Sequence, residues 1–209
     1  DNRFLGFFAQ GKLKKVEVSS GAAQALCDSA VPGRGGTWNR DGQIVFAAGN
    51  RSPLSKVPAA GGTPTPVTAL GEGELTHRWP QFLPDGQHFI YWSGNASDTA
   101  QGSFLVASLD RPPQSSQPHR LVPRGSMPLY ADGHLLLVRE DGILAAQSFD
   151  VGGDILSGEA VPLGANISIS YRIPGYAQYS VSSNGVLVYL SPSGAQTRLE
   201  WWDRAGQLL

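Results

Sequence analysis

Arginine and aromatic residues recur along the chain next to short apolar stretches, and these residue types are common in binding sites. The set consists of Arg34, Trp38, His77, Arg78, Trp79, Tyr130, Tyr171, Arg172 and Tyr176. Arginine, tyrosine and tryptophan dominate binding hot spots because each offers a large contact area at a modest entropic cost. The adjacent His77 and Arg78 form a basic pair, which suits a carboxylate or an acidic peptide segment. The pattern therefore predicts a site for a ligand or partner at these positions.

The same residues also have a structural interpretation. Trp38 and Trp79 would pack between neighbouring sheets, and the arginines would pair with the carboxylates of Asp-Gly turns. Both interpretations remain open on the sequence alone.

Residues that could bind a metal or act as a nucleophile do not occur at suitable spacings. The histidines are His77, His88, His119 and His134. No two of them have the spacing of three to five residues that is typical of zinc ligands, and no G-x-S-x-G motif is present. Glu72, Glu74 and His77 could meet in one loop, although a solvated acidic loop is the more common form of such a stretch. The sequence thus predicts no metal, no cofactor, no catalytic residue and no enzymatic activity.

Composition excludes two classes of partner. The net charge of −1 and the pI of about 6.5 give no basis for binding nucleic acid. No apolar run reaches the ~18 residues of a membrane-spanning helix, so direct membrane insertion is not expected. Cys27 is the only cysteine, so an internal disulfide is impossible.

A repeat organises the rest of the chain. Asp41-Gly42, Asp85-Gly86, Asp132-Gly133 and Asn184-Gly185 follow one another at spacings of 44, 47 and 52 residues. Such dipeptides favour two-residue hairpins, in which both central residues need positive φ. Each corner lies between short strand-like runs, at four runs per unit, which is the signature of β-propeller blades.

The prediction is an all-β chain, a β-propeller of about five four-stranded blades. The first blade is incomplete because no leading strand precedes Asp1, as in a fragment of a larger propeller. The units are roughly 1–31, 32–74, 75–124, 125–170 and 171–209.

The second strand of each unit is apolar on both faces, which fits a blade that is packed between two others. In HFIYW, residues 88–92, successive side chains point to opposite faces, yet all but the first are apolar. Together with Phe82, these four side chains are predicted to pack between blades.

Four stretches resemble a known family: GRGGTWNRDGQIVFA (33–47), SPLSKVPAAGGTPTPVT (52–68), HRWPQFLPDGQHFIYW (77–92) and SVSSNGVLVYL (180–190). They resemble TolB-like, WD40-like propellers, and more closely the propeller at the C-terminal side of bacterial eukaryotic-type Ser/Thr protein kinases. The resemblance implies a non-catalytic domain, periplasmic or otherwise extracytoplasmic, tethered to a kinase that lies outside this chain.

The main functional hypothesis is therefore a binding or scaffold module, a sensor or docking domain. It would recognise a peptide, protein or envelope ligand at the mouth of the propeller channel. One alternative is a propeller enzyme, a hydrolase or lyase, with its site at the same mouth. Another is self-assembly, in which the incomplete blade pairs with a second copy to form a homo-oligomer.

Overall fold

The structure is a computed structural model that describes residues 3–29, 33–95, 98–113, 119–122, 125–170, 173, 175–182 and 185–192. The first sheet contains β1 (Phe4–Ala9), β2 (Lys12–Glu17) and β3 (Ala23–Asp28). The second contains β4 (Gly36–Trp38), β5 (Gln43–Ala47), β6 (Leu54–Pro58) and β7 (Thr65–Pro66). The third contains β8 (Thr76–Phe82), β9 (His88–Asn95), β10 (Asp98–Ser108) and β11 (His119–Val122). The fourth contains β12 (Ser126–Ala131), β13 (His134–Val138), β14 (Ile143–Asp150) and β15 (Ile155–Asn166), and the fifth contains β16 (Tyr179–Val181) and β17 (Leu187–Tyr189).

The fold is all-β over the described residues, as predicted. Every pairing within the five sheets is antiparallel, and consecutive strands are neighbours. A helix long and apolar enough to cross a membrane is not found in the described part of the chain. Asn184 and the two final strands predicted for the fifth unit lie outside the described residues.

The core confirms that the second strands of the three middle sheets, β5, β9 and β13, are buried on both faces, whereas β1 of the first sheet is partly exposed, with Leu5 60% exposed. Phe89 and Tyr91 pack in one cluster with Val45 of the second sheet. Ile90 and Trp92 point the other way and pack with Leu135 of the fourth sheet. Strand β9 is therefore held between two neighbouring sheets, which is why its sequence does not alternate with polar residues.

The hairpin corners follow the prediction in part. Asp132 and Gly133 have φ of 47° and 79°, as a two-residue turn requires. At Asp41-Gly42 and Asp85-Gly86 only the glycine has positive φ, so the prediction of two left-handed residues is wrong there. In the first of these, the Gly42 amide donates to the Asn39 carbonyl, which closes a longer loop that needs only one left-handed residue.

The first strands of successive sheets, β4, β8, β12 and β16, lie side by side and are joined across the sheets. Each of these strands has a left-handed residue near its N-terminal end: Gly35 directly before β4, Trp79 as the fourth residue of β8, Met127 as the second residue of β12 and Gly175 four residues before β16, with φ of 90°, 54°, 33° and 75°. In β8 and β12 this left-handed residue lies where the strand shifts its register against the second strand of its sheet, β9 and β13 respectively. The Trp79 amide donates to the Arg34 carbonyl at 2.9 Å, and the Met127 amide donates to the Gly175 carbonyl at 2.8 Å. The left-handed residues and the hydrogen bonds between sheets together fix the positions of the side chains at the N-terminal ends of the first strands.

Candidate functional site

Arg34 and Arg78 meet at the N-terminal ends of the first strands. Each is the residue immediately before a left-handed residue, Gly35 in one sheet and Trp79 in the next. The two arginines thus occupy equivalent positions in adjacent sheets. The Trp79 amide donates to the Arg34 carbonyl, which holds the two positions next to each other. The repeat thus brings together two cations that are 44 residues apart in the sequence.

Neighbouring backbone and an indole ring hold Arg78 in place. The side chain is buried, with 4% of the residue exposed. Its Nε donates to Thr76 Oγ1 at 3.0 Å, and its Nη2 donates to the Asn50 carbonyl at 3.2 Å. The guanidinium carbon lies 5.6 Å from the centre of the Trp92 ring, within the range of a cation–π interaction. Arg78 is therefore a preorganised charge.

Four buried polar atoms near Arg34 and Arg78 have no hydrogen-bond partner among the described residues. They are Arg34 Nε, Ser52 Oγ, Trp79 Nε1 and Trp92 Nε1. The Ser52 carbonyl accepts the His77 amide at 3.0 Å, which places Ser52 beside Arg78. We call Arg34, Ser52, Arg78, Trp79 and Trp92 the mouth cluster. Since buried polar groups are almost always paired, such a concentration of unpaired atoms sets this place apart from the rest of the described core.

The electrostatics of the mouth cluster also favour an anion. Burial lowers the pKa of Arg34. Burial, and then the charge of Arg34, lowers the pKa of Arg78 to about 10. Both guanidinium groups remain charged at neutral pH, so two like charges are held close together in a partly desolvated place. An oxyanion between them would relieve the repulsion and supply acceptors.

His77, predicted as the partner of Arg78, has a different environment. It is fully buried, with 0% exposed, and the two side chains follow one another on a strand. The Nδ1 atom lies 2.7 Å from Thr68 Oγ1 and the Nε2 atom lies 3.0 Å from Glu74 Oε2. The imidazole therefore has both nitrogens occupied inside the protein. A ligand role for His77 stays a prediction from the sequence, and its surroundings do not favour one.

Thr68, His77 and Glu74 form a hydroxyl–imidazole–carboxylate chain. The connectivity is that of a catalytic triad, but Thr68 is only 2% exposed and its Oγ1 also accepts the Leu54 amide at 2.9 Å. A nucleophile must be reachable by substrate, so this chain is structural. It fastens the loop before β8 to the second sheet.

Glu74 completes this network as a carboxylate. Burial acts to raise its pKa, but hydrogen bonds from His77, from Ser93 Oγ at 2.6 Å and from the Gly71 amide at 2.7 Å lower the pKa to about 2. The contact between Glu74 and His77 is one that the sequence allowed, whereas Glu72 is exposed. Among the described residues, no group of three histidine, cysteine, aspartate or glutamate side chains could hold a metal ion.

The remaining candidates are spread over three places. Tyr176 joins the mouth cluster, because its ring centre lies 5.0 Å from that of Trp79. Trp38 instead stacks on Phe4 of the first sheet at 6.0 Å, which matches the interpretation as packing between blades. Tyr130 lies near the C-terminal end of β12, against Phe149. Tyr171 and Arg172 lie outside the described residues.

Sequence reasoning missed Ser52 and assigned Trp92 only to the core. Ser52 precedes a proline in a polar loop and carries no motif, so no local signal marks it. The sequence predicts that Trp92 is buried. It does not predict that the indole nitrogen lacks a hydrogen-bond partner, because this depends on which groups the fold places opposite it.

The comparisons with known proteins establish the fold. No protein-family model and no curated protein matches the chain. Among solved structures, a gluconolactonase from Xanthomonas campestris is 18% identical with a TM-score of 0.67, and the alignment covers 100% of this chain and 71% of that one. TolB from Acinetobacter baumannii is 14% identical with a TM-score of 0.67, over 98% of this chain and 49% of that one. An oligogalacturonate lyase in complex with manganese is 13% identical with a TM-score of 0.59, over 90% of this chain and 52% of that one.

These similarities confirm the β-propeller and correct one prediction. The chain spans about half the length of TolB and of the lyase, and at such low identities the likeness shows the fold alone. The narrower resemblance to kinase-associated propellers is not shown. The prediction that the chain is not an enzyme is contradicted, because chains of this fold include a gluconolactonase and a lyase. Motifs of kinases and serine hydrolases are therefore the wrong criterion for catalysis on this fold.

Proposed function

We propose that the protein is a small-molecule enzyme of the hydrolase or lyase type, with its site at the mouth cluster. The substrate presents a carboxylate or a developing oxyanion to Arg34 and Arg78. The observation that carries the proposal is the Arg34 Nε atom, which is buried without a hydrogen-bond partner beside a second guanidinium. A buried donor without an acceptor costs free energy, and an oxyanion would remove that cost.

The two reaction classes share a need for positive charge at oxygen. In ester or lactone hydrolysis, water bonds to the carbonyl carbon and the C–O bond to the leaving alcohol breaks. In elimination from a sugar acid, a proton leaves the carbon next to the carboxylate and the C–O bond one carbon further breaks. Negative charge develops on oxygen in both, and fixed N–H donors stabilise it.

The structural neighbours support this choice of substrate. The names of two of them contain a lactone of a sugar acid and an oligomer of a sugar acid. Sugar acids carry the carboxylate that the two arginines would bind.

A second candidate is recognition of the carboxylate of a protein or peptide, as in a sensor or docking domain. The observation that favours it is the Trp79–Tyr176 pair next to Arg34, because aromatic and arginine side chains together are typical of protein interfaces. This candidate uses the same donors, and turnover distinguishes it from the first.

The test is an activity assay with the full 209-residue chain. The substrates are D-glucono-1,5-lactone, followed by release of acid, and trigalacturonate, followed by absorbance of the unsaturated product. Arg34→Met should lower kcat/KM by about 10²-fold or more, the usual effect of losing one oxyanion donor. Arg139→Met removes an exposed arginine distant in sequence and should leave the rate unchanged. Absence of turnover of both substrates, or equal rates for Arg34→Met and the native chain, would overturn the proposal.

A further inference from the structure

A cleft of about 440 Å³ lies at the other end of the first strands. The last residues of β8, β12 and β16, which are Phe82, Ala131 and Val181, all line it. The other lining residues are Gln81, Leu83, Pro84, Tyr130, Asp132 and Gly133. The volume is within the range of sites for small molecules.

The walls of the cleft are fixed by hydrogen bonds between sheets. The Gln81 side chain donates from Nε2 to the Tyr130 carbonyl at 3.2 Å and accepts the Tyr130 amide through Oε1 at 2.5 Å. The Tyr130 hydroxyl in turn accepts the Gly133 amide at 3.1 Å. These bonds use the polar side-chain atoms of Gln81 internally, so the Gln81 amide is already paired and the lining mixes apolar side chains with polar backbone and the Asp132 carboxylate.

Among the described residues that line the cleft, Asp132 is the one with a formal charge. Corner carboxylates elsewhere are used locally: Asp85 Oδ1 accepts the amides of Gln87 and His88, and Asp141 accepts the Ile143 amide and pairs with Arg139. The corner at Asp132 is a two-residue turn, in which Asp132 and Gly133 have φ of 47° and 79°. It is shorter than the corners at Asp85 and Asp141, which have additional turn residues. Asp132 is exposed, and its carboxylate has no hydrogen bond or ion pair among the described residues.

We propose that this cleft binds a small organic cation, a protonated amine that carries an apolar group. The ammonium lies at Asp132, and the apolar part lies on Phe82, Leu83 and Val181. Charge complementarity carries the assignment, because the described residues that line the cleft include no lysine, arginine or histidine. This site is separate from the mouth cluster and does not depend on the activity proposed there.

The probe is 2-phenylethylammonium, titrated into the native chain and followed by two-dimensional NMR. 2-Phenylethanol and 3-phenylpropanoate are the neutral and anionic counterparts. The cation should bind about three- to five-fold more tightly than the alcohol, the range of an exposed ion pair, and the anion should bind more weakly still. Equal affinity for the three ligands, or no binding of the cation, would overturn the proposal.

The variant is Asp132→Asn, because asparagine is well accepted at this position of a two-residue turn. It should remove the preference for the cation over the alcohol, with shifted resonances still mapping to residues 81–84 and 130–133. Asp41→Asn makes the same change at the corresponding corner of the second sheet and should leave the preference intact. Arg34→Met should do so as well. Loss of the preference in Asp41→Asn, or its retention in Asp132→Asn, would contradict the site.

Discussion

Arg34 and Arg78 occupy equivalent positions in adjacent sheets, and a hydrogen bond to the Arg34 carbonyl fixes the position of Arg78 relative to Arg34. The Trp79 amide donates to the Arg34 carbonyl at 2.9 Å, so the residue after Arg78 is tied to Arg34 itself. The charge of Arg34 helps to lower the pKa of Arg78 to about 10. A repeat that places two like charges together in a partly buried position is costly for folding, which suggests that a ligand is the reason for the arrangement.

Replacing Arg34 should not destabilise the protein. Arg34→Met keeps the aliphatic stem but removes a buried donor without a partner and a charge that repels Arg78. We expect the free energy of unfolding, measured in urea, to stay equal or to rise by up to about 1 kcal/mol. Arg139→Met, which breaks the 3.1 Å pair with Asp141, should instead lose between zero and about 1 kcal/mol. A loss of more than 1 kcal/mol in Arg34→Met would show that Arg34 is a structural residue.

Stability should fall in acid because of Glu74. The pKa of this carboxyl is lowered to about 2 in the folded protein, against 4.5 for the unperturbed group. The stabilisation is therefore present above pH 4.5 and is lost as the pH falls towards 2, with a size of about 2 kcal/mol. In Glu74→Gln this part of the pH dependence should disappear from urea unfolding curves between those pH values. Glu72→Gln, on the exposed neighbour, should retain the dependence, and an unchanged slope in Glu74→Gln would refute the role of Glu74.

Two glycines with the same backbone angle should differ in their tolerance of alanine. Gly175 and Gly133 have φ of 75° and 79°, so both variants bear the cost of a left-handed alanine, about 1 kcal/mol. An added Cβ at Gly175 would lie 2.7 Å from the Trp92 ring, whereas nothing lies within 4 Å at Gly133. Gly175→Ala should therefore be the more destabilising by about 1–3 kcal/mol in thermal or urea unfolding. Equal losses would mean that Trp92 is loosely packed.

The first sheet should support association between chains. Among the described residues β1 pairs only with β2, and Leu5 on β1 is 60% exposed. Light scattering at increasing concentration should detect a dimer, as expected when an unpaired apolar strand edge is available. Leu5→Lys should shift the equilibrium to monomer, while Val18→Lys, at a similarly exposed residue beyond β2, should not. A monomer at every concentration would exclude this contact.

Much of the fold could be predicted because it depends on local patterns. The two-sided apolar run of β9 follows from residues 88–92 themselves, and the strand blocks follow from the Asp-Gly spacing. The corner geometry was less predictable, since Asp41-Gly42 and Asp132-Gly133 share a dipeptide but differ in loop length, which depends on how the flanking strands pair.

The site was predictable only at the level of residue types. Arg34, Arg78, Trp79 and Tyr176 lie close together in the fold, because equivalent positions of a repeat meet at one end of a propeller, but a ligand role for them stays a prediction. The burial of His77 depends on Thr68, nine residues earlier in the preceding sheet, and no local signal reports that contact. The prediction that the chain is not an enzyme was wrong because it rested on motifs that belong to other folds.

An oxyanion site at Arg34 and Arg78 is tested most directly by isothermal titration of D-galacturonate and of D-galactose, its uncharged counterpart, into the full chain. We predict binding of the sugar acid, at least about ten-fold weaker binding of the neutral sugar, and loss of that difference in Arg34→Met but not in Arg139→Met. Inorganic phosphate as a competitor should displace the sugar acid if any oxyanion is accepted, and should leave it bound if the site selects a carboxylate. Equal binding of the two sugars, or an unchanged preference in Arg34→Met, would contradict an oxyanion site at Arg34 and Arg78.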